Sequence, residues 1–272
     1  MSCDHVIITG GSSGIGLAIA KHYAREGFNL SVIARNEARL AEAKQQLAGL
    51  CIKPAQIVET FKADVTSRQQ IENAISRAVN LSGIPDILVT SAGAVAPGYF
   101  SELPVETFES MIAVNYLGTV YAVKAVEPMM RRRSKGHIVM ISSGAGLIGI
   151  YGYSAYSPSK FAVRGFAEAL RAESEPYGIH VSVVYPPDTE TPQLEEDRRM
   201  KPRETALITA SGGVMSADDV AKTIIRSVRR KKFIITPGYP MTLLGWLHSL
   251  IGPLLYSWFK FQTKKAQAPD NK

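Results

Sequence analysis

Residues 6–16 read Val6-Ile7-Ile8-Thr9-Gly10-Gly11-Ser12-Ser13-Gly14-Ile15-Gly16, a short β-branched run that breaks into glycines and resumes as a helical pattern through Leu17, Ala20 and Tyr23. An uninterrupted apolar run suits a strand buried on both faces, and the spacing that follows gathers apolar side chains on one helix face. Glycines permit positive φ and let backbone approach a pyrophosphate. The helix that follows presents free N–H groups and the positive end of its dipole to such an anion. The turn is read as a dinucleotide-binding element contacted through Gly10, Ser12, Ser13, Gly14, Ile15 and Gly16. Taken alone, the same run also fits a Gly/Ser turn with no ligand.

The pattern repeats outward from this unit. Gly27 closes the first helix and Leu30-Ser31-Val32-Ile33 reads as a strand. A helix follows at Glu37 to Leu47, a strand at Gln56 to Lys62, a helix at Ser67 to Leu81 and a strand at Asp86 to Thr90. The second half has a long helix from Val105 to Arg131, a strand from His137 to Ser142, a helix beginning near Ser154 and a strand from His180 to Tyr185. Alternation of this kind predicts an α/β chain with a doubly wound parallel sheet, covered on both faces, in one domain over residues 1–238. Residues 186–215 lose periodicity and are read as a long loop that serves as a lid or binding segment. Ser216-Ala217-Asp218-Asp219 marks a helix start leading to Arg230, and Phe233 to Thr236 is the expected last strand.

The 272 residues are 46% hydrophobic and 20% charged, which excludes disorder, collagen and coiled coil. Cys3 and Cys51 are too few for a disulfide framework and lack metal-ligand spacing, so a reducing compartment and no metal site are expected. The N-terminus passes directly into the first strand, leaving no room for a cleaved secretory signal. The net charge of +7 is concentrated in the tail: residues 222–272 hold ten of the 31 basic residues and one of the 24 acids. A nucleic-acid groove needs basic residues spread over a face of the fold, so no nucleic-acid partner is expected.

The end of the second strand, Ala34-Arg35-Asn36, carries no acid to bind ribose hydroxyls and repel a 2′-phosphate. Arg35 can pair with that phosphate instead, which favours NADPH/NADP+ over the unphosphorylated cofactor. Arg39 lies one helical turn further on. Asp64 and Val65 follow the third strand, where they are placed to meet the adenine.

Tyr156 and Lys160 stand four residues apart, on one face of a helix, and Ser143 lies at the end of a strand thirteen residues earlier. A tyrosine gives up its proton near neutral pH more readily when a cation stabilises the phenolate. The glycine turn, then Ser143, then this pair, in this order and spacing, resemble the short-chain dehydrogenase/reductase family from Val6 to Thr236. The resemblance implies a Rossmann-type fold and reduction of a ketone to a secondary alcohol. It implies that Tyr156 is the general acid, Lys160 contacts the nicotinamide ribose, Ser143 binds the carbonyl oxygen and Asn115 joins a water-linked proton relay. It places Gly93, Pro186 and Thr189 beside the cofactor, with Tyr156 and Lys160. Two positions depart from the pattern. Ser91 stands where the family has Asn, and Pro158 between Tyr156 and Lys160 requires the helix to begin close to Ser154–Ser157.

Within that family, the stretch from Tyr185 through Thr189 to Pro192, with Lys201-Pro202-Arg203-Glu204-Thr205, resembles the branch that reduces sphingoid ketones. That implies 3-ketosphinganine as substrate, in sphingolipid biosynthesis. A steroid or a 3-oxoacyl thioester is the alternative ketone, and an NADPH-sensing scaffold the non-enzymatic alternative. The tail, 239–272, supplies a separate physical indication. Met241 to Phe259 is uncharged, with Leu243, Leu247, Leu250, Leu254 and Trp258 at helical spacing, and basic residues flank it. Such a stretch suits the interface of an anionic membrane, placing a cytoplasmic enzyme peripherally with its active site facing the cytosol. Its length also allows spanning, which Pro253 and the amphipathic pattern disfavour, and the other alternative for the tail is docking on the core or in a homo-oligomer. Following the last strand, it is not expected to be needed for the nucleotide site.

Overall fold

The computed structural model describes residues 4–267. Cys3, Asp270 and Lys272 lie outside the described residues, as do the side chains of His248, Leu250, Ile251, Leu255 and Lys264. Seven parallel strands form the sheet: β1 (His5–Thr9), β2 (Asn29–Ala34), β3 (Val58–Lys62), β4 (Ile87–Thr90), β5 (Gly136–Ile141), β6 (Ile179–Val184) and β9 (Ile234–Ile235). Their spatial order is β3-β2-β1-β4-β5-β6-β9. Sequence neighbours lie to one side of β1 and later strands to the other, so the chain reverses direction between β1 and β4. A crevice opens there at the carboxyl ends of the strands.

The strand pleat divides the core. Ile7, Leu88, Ile138 and Val183 point to one face, where they meet α3 (Arg68–Ser82), α5 (Gly118–Arg132) and α6 (Tyr156–Ser174). Val6, Ile8, Val89 and Val139 point to the other, against α1 (Gly14–Arg25), α2 (Glu37–Ala48) and α9 (Ala217–Arg229). Each fully buried branched side chain contributes about 1.5–3 kcal/mol, so register is set by burial on both faces.

Three elements differ from the expected pattern. The predicted helix from Val105 is continuous, but α4 (Val105–Met111) joins α5 through a π-helical segment, Ile112–Leu117, that carries Asn115. Residues 186–215 are not a loop. They form β7 (Asp188–Glu190), α7 (Pro192–Met200), α8 (Arg203–Ala210) and β8 (Val214–Ser216), with β7 and β8 paired in parallel. α7 is short and strongly polar and α8 has only eight residues, so neither shows an apolar period long enough to stand above the surrounding prolines and charges; Thr191 caps α7 by accepting from Leu194 N at 3.2 Å. The last strand is two residues long rather than four.

The tail forms α10 (Tyr239–Gln267). Among the described residues, no helix is long and apolar enough to cross a membrane. α10 packs against α8, and Met241 is buried beside Gly144 and Gly212.

Candidate active site

The carboxyl ends of β1, β4, β5 and β6 open into one cavity of about 650 Å³. At its base, Tyr156 is the first residue of α6 and Lys160 lies one turn on; both are buried. Pro158 is the third residue of the helix, where its missing N–H has no intrahelical acceptor to serve, so the departure is accommodated as expected. Lys160 Nζ stands 5.7 Å from the centre of the Tyr156 ring and donates to the Ile141 carbonyl at 3.2 Å. Ser143 follows β5 and hydrogen-bonds to Tyr156. Its Oγ also accepts from Ala145 N at 3.2 Å, which fixes its place in the turn.

Burial shifts both titrating groups toward their neutral forms. It raises the Tyr156 phenol, an effect opposed by the Ser143 hydrogen bond and reinforced by the charges of Asp197 and Asp188. The phenol therefore keeps its proton across the neutral range and is a donor rather than a base. Burial lowers Lys160 to about 8.

Asn115 is also buried, and its amide braces two elements. Oδ1 accepts from Ala94 N at 2.9 Å, while Nδ2 donates to Ala94 O at 3.0 Å and to Ser159 Oγ at 2.8 Å. Ser159 donates in turn to the Tyr156 carbonyl at 2.6 Å. The loop after β4 is thus tied to the start of α6 through the π-helical segment. The side chain of Asn115 is occupied by this brace, a role that the sequence did not show.

The other end of the cavity fits a nicotinamide dinucleotide. Gly10 has φ +71, and a Cβ there would lie 2.5 Å from the Ala92 backbone nitrogen; Gly14 has φ +54. Ser13 begins α1 without a side-chain cap, leaving the helix N–H groups open to the cavity. A Cβ at Gly93 would approach Asn115 Oδ1 and Lys160 Nζ at 3.1 and 3.4 Å, so only a glycine leaves this wall thin. Gly10, Ser12, Ser13, Gly14, Ile15, Arg35, Arg39, Val65, Gly93, Pro186 and Thr189 all line the cavity.

Two expected contacts do not. Gly16 is buried against the Gly10 carbonyl, where its missing side chain lets the turn close on α1. Asp64 turns to Thr66, accepting from N at 2.9 Å and Oγ1 at 2.8 Å, and faces Arg35 across 3.7 Å. That pair is largely exposed and so weak, and Arg35 can exchange it for a stronger anion.

The sequence missed the far wall. Ile208 of α8 and Met241, Leu244, Trp258 and Phe259 of α10 close the cavity with apolar surface. The tail is therefore part of the site wall and not an appendage beyond it. Tyr153, Asp188, Asp197 and Lys201 form a polar network beside Tyr156. The sequence reading of residues 186–215 as a lid or binding segment pointed to this region, but not to the contacts that join these four side chains.

Comparison with known proteins agrees with this geometry. The short chain dehydrogenase family profile matches residues 4–202. A 3-dehydrosphinganine reductase from Danio rerio is 44% identical over 92% of this chain and 76% of its own. A 3-ketodihydrosphingosine reductase from Mus musculus is 43% identical over 88% and 74%. Among solved structures, ElxO with NADP bound superposes with a TM-score of 0.74 at 26% identity, covering 86% of this chain and 97% of that one.

Proposed function

The chain belongs to the short-chain dehydrogenase family, and from that premise we propose that it reduces the 3-keto group of 3-ketosphinganine to the alcohol, giving sphinganine, with NADPH. The observation that carries this reading is one cavity that joins Ser143, Tyr156 and Lys160 to a glycine-turn cradle at one end and an apolar wall from α10 at the other. A long-chain ketone is the substrate class that such a wall accommodates. The NADPH preference rests on Arg35 and Arg39, which line the cavity at the end of β2 with no acid among the lining residues there.

When bound, the nicotinamide cofactor supplies the hydride that reduces the carbonyl carbon. The Ser143 and Tyr156 hydroxyls hold the carbonyl oxygen as negative charge develops on it. Tyr156 then donates its proton to that oxygen, completing the alcohol. Lys160, charged below about 8, lowers the cost of the phenolate left behind. Asn115 keeps the loop at Gly93 and the start of α6 in register, so that cofactor and phenol reach the carbon and the oxygen of the same carbonyl; the water-linked relay is a further role for its position.

The outward side of α10 supports a peripheral place on the cytosolic face of a membrane. Trp246, Leu254, Tyr256 and Phe261 are exposed beside Lys260 and Lys265. Aromatic and basic residues together favour the headgroup region of anionic lipid.

The reaction is tested by following NADPH oxidation with 3-ketosphinganine, a steroid ketone and a 3-oxoacyl thioester in parallel. Turnover is expected with the first far above the others. Preferential turnover of either rival would assign the site to that ketone class.

A further inference from the structure

The two ends of the cavity have opposite charge. Arg35 and Arg39 line the cofactor end, whereas every charged residue that the 187–212 segment contributes to the lining is acidic: Asp188, Glu196 and Asp197. Two of these belong to a network built around the catalytic tyrosine. The Tyr153 ring packs edge-on against Tyr156 at 5.2 Å, and its hydroxyl donates to both oxygens of Asp197, at 3.0 and 2.8 Å. Lys201 Nζ lies 2.7 Å from Asp197 Oδ2, 3.1 Å from Thr209 Oγ1 and 3.5 Å from Asp188 Oδ2.

Asp197 and Lys201 have side chains only 5% and 3% exposed, and they satisfy one another. Asp188 differs. Its side chain is 27% exposed, faces the cavity and leaves Oδ1 without a hydrogen-bond partner among the described residues. Its backbone is fixed by pairing with Val214. Two carboxylates share one ammonium, and Arg198 adds only a longer-range attraction to Asp188, so negative charge beside the reacting centre is incompletely compensated. Uncompensated charge in a partly dry site is costly, and here it works against the chemistry, because it holds the Tyr156 proton more tightly. A cation arriving with the substrate removes both costs.

We propose that Asp188 receives the protonated amine of a 2-amino-3-ketone, with Asp197 and Lys201 fixing its carboxylate, and that this contact selects an amino ketone over a plain ketone of equal chain length. The inference rests on the sphingoid-ketone reading and adds the group by which the substrate is recognised. In such a compound the amine is on the carbon adjoining the carbonyl. An oxygen held by Ser143 and Tyr156 therefore brings the ammonium to the network that packs on Tyr156. Glu196 adds a further negative charge at the cavity mouth.

The test compares 3-ketosphinganine with the same chain lacking the 2-amino group, using the full-length protein and Asp188→Asn. The unaltered enzyme is expected to favour the amino ketone by roughly ten- to a hundredfold in kcat/KM, mostly through KM, and Asp188→Asn to reduce that ratio tenfold or more. A companion measurement needs no substitution: a long-chain primary amine should compete with substrate at lower concentration than the alcohol of equal length. An unchanged ratio in Asp188→Asn, or equal inhibition by amine and alcohol, overturns the proposal. If the unaltered enzyme turns over both ketones equally well, only this inference falls; if it reduces a steroid or thioester instead, the substrate reading falls with it.

Discussion

At the cofactor end the wall of the cavity is mostly backbone: a glycine turn, the uncapped start of α1 and the ends of four parallel strands. At the substrate end it is side chain, carried by α7, α8 and α10 from residues 192–267. The first wall is held by sheet register and cannot move without unfolding the domain. The second is held by buried polar contacts, the short β7–β8 pairing and one apolar helix face, so it is expected to open before the sheet does. Substitutions in the first should therefore change chemistry or cofactor affinity, and those in the second should change access and substrate choice.

The sharpest expected effect is at the border between the two. Tyr156→Phe removes the transferable proton but keeps the ring that packs on Tyr153, so turnover should fall about 10²–10⁴-fold while cofactor binding holds. Single-turnover rates beside a cofactor titration would check this, and near-parental turnover would place the acid elsewhere. Lys201→Ala leaves Asp197 buried without its ammonium, a loss of about 3–5 kcal/mol. Hydrogen exchange should quicken across residues 192–210 while β1 and β4 keep their protection. Equal loss in the sheet would show that the two walls are one cooperative unit.

The reason one wall was readable from sequence and the other was not lies in what fixes each residue. Gly10, Gly14 and Gly93 answer to local φ or to a neighbouring backbone, and Tyr156 and Lys160 to a single helical turn, so residue type and spacing reveal them. Asp188 meets Lys201 because α7 folds back on β7, and Trp258 reaches the cavity because α10 packs on α8. Such meetings have no period. The same limit applies to Asn115, whose brace depends on a π-helical segment with no composition of its own, and to Gly16, whose place in the glycine motif concealed a packing role.

At the adenosine edge the effect should be smaller. Arg35→Ala is expected to weaken NADPH about ten- to a hundredfold and NADH little, since one charge-assisted contact contributes about 1.5–3 kcal/mol. Equal weakening of both in titrations would make the Asp64 pair the purpose of Arg35.

Lys160 links catalysis to stability with opposite signs. Its folded value, about 8, lies below the ordinary 10.5, so burial of the charged form costs stability below about 8, and that cost is relieved as pH rises toward 10.5. Ketone reduction should fall as pH rises through about 8, while the Lys160 contribution to cofactor-free stability improves. Comparison of thermal melts with those of Lys160→Met isolates the second trend; a parallel response in both proteins would remove Lys160 as its source.

The mildest effect concerns α10. Serine at Trp246, Leu254 and Phe261 together should release the protein from anionic vesicles and spare reduction of detergent-dispersed substrate, because none of the three lines the cavity. Vesicle binding of the unaltered protein should weaken with salt. Retained binding after substitution would return α10 to a role in packing alone.

The central claim is tested most directly by incubating the protein with 3-ketosphinganine and NADPH and measuring sphinganine formed against NADPH consumed. One sphinganine for each NADPH, abolished by Tyr156→Phe, is the result expected. Stoichiometric NADPH binding with no turnover of any ketone would contradict it.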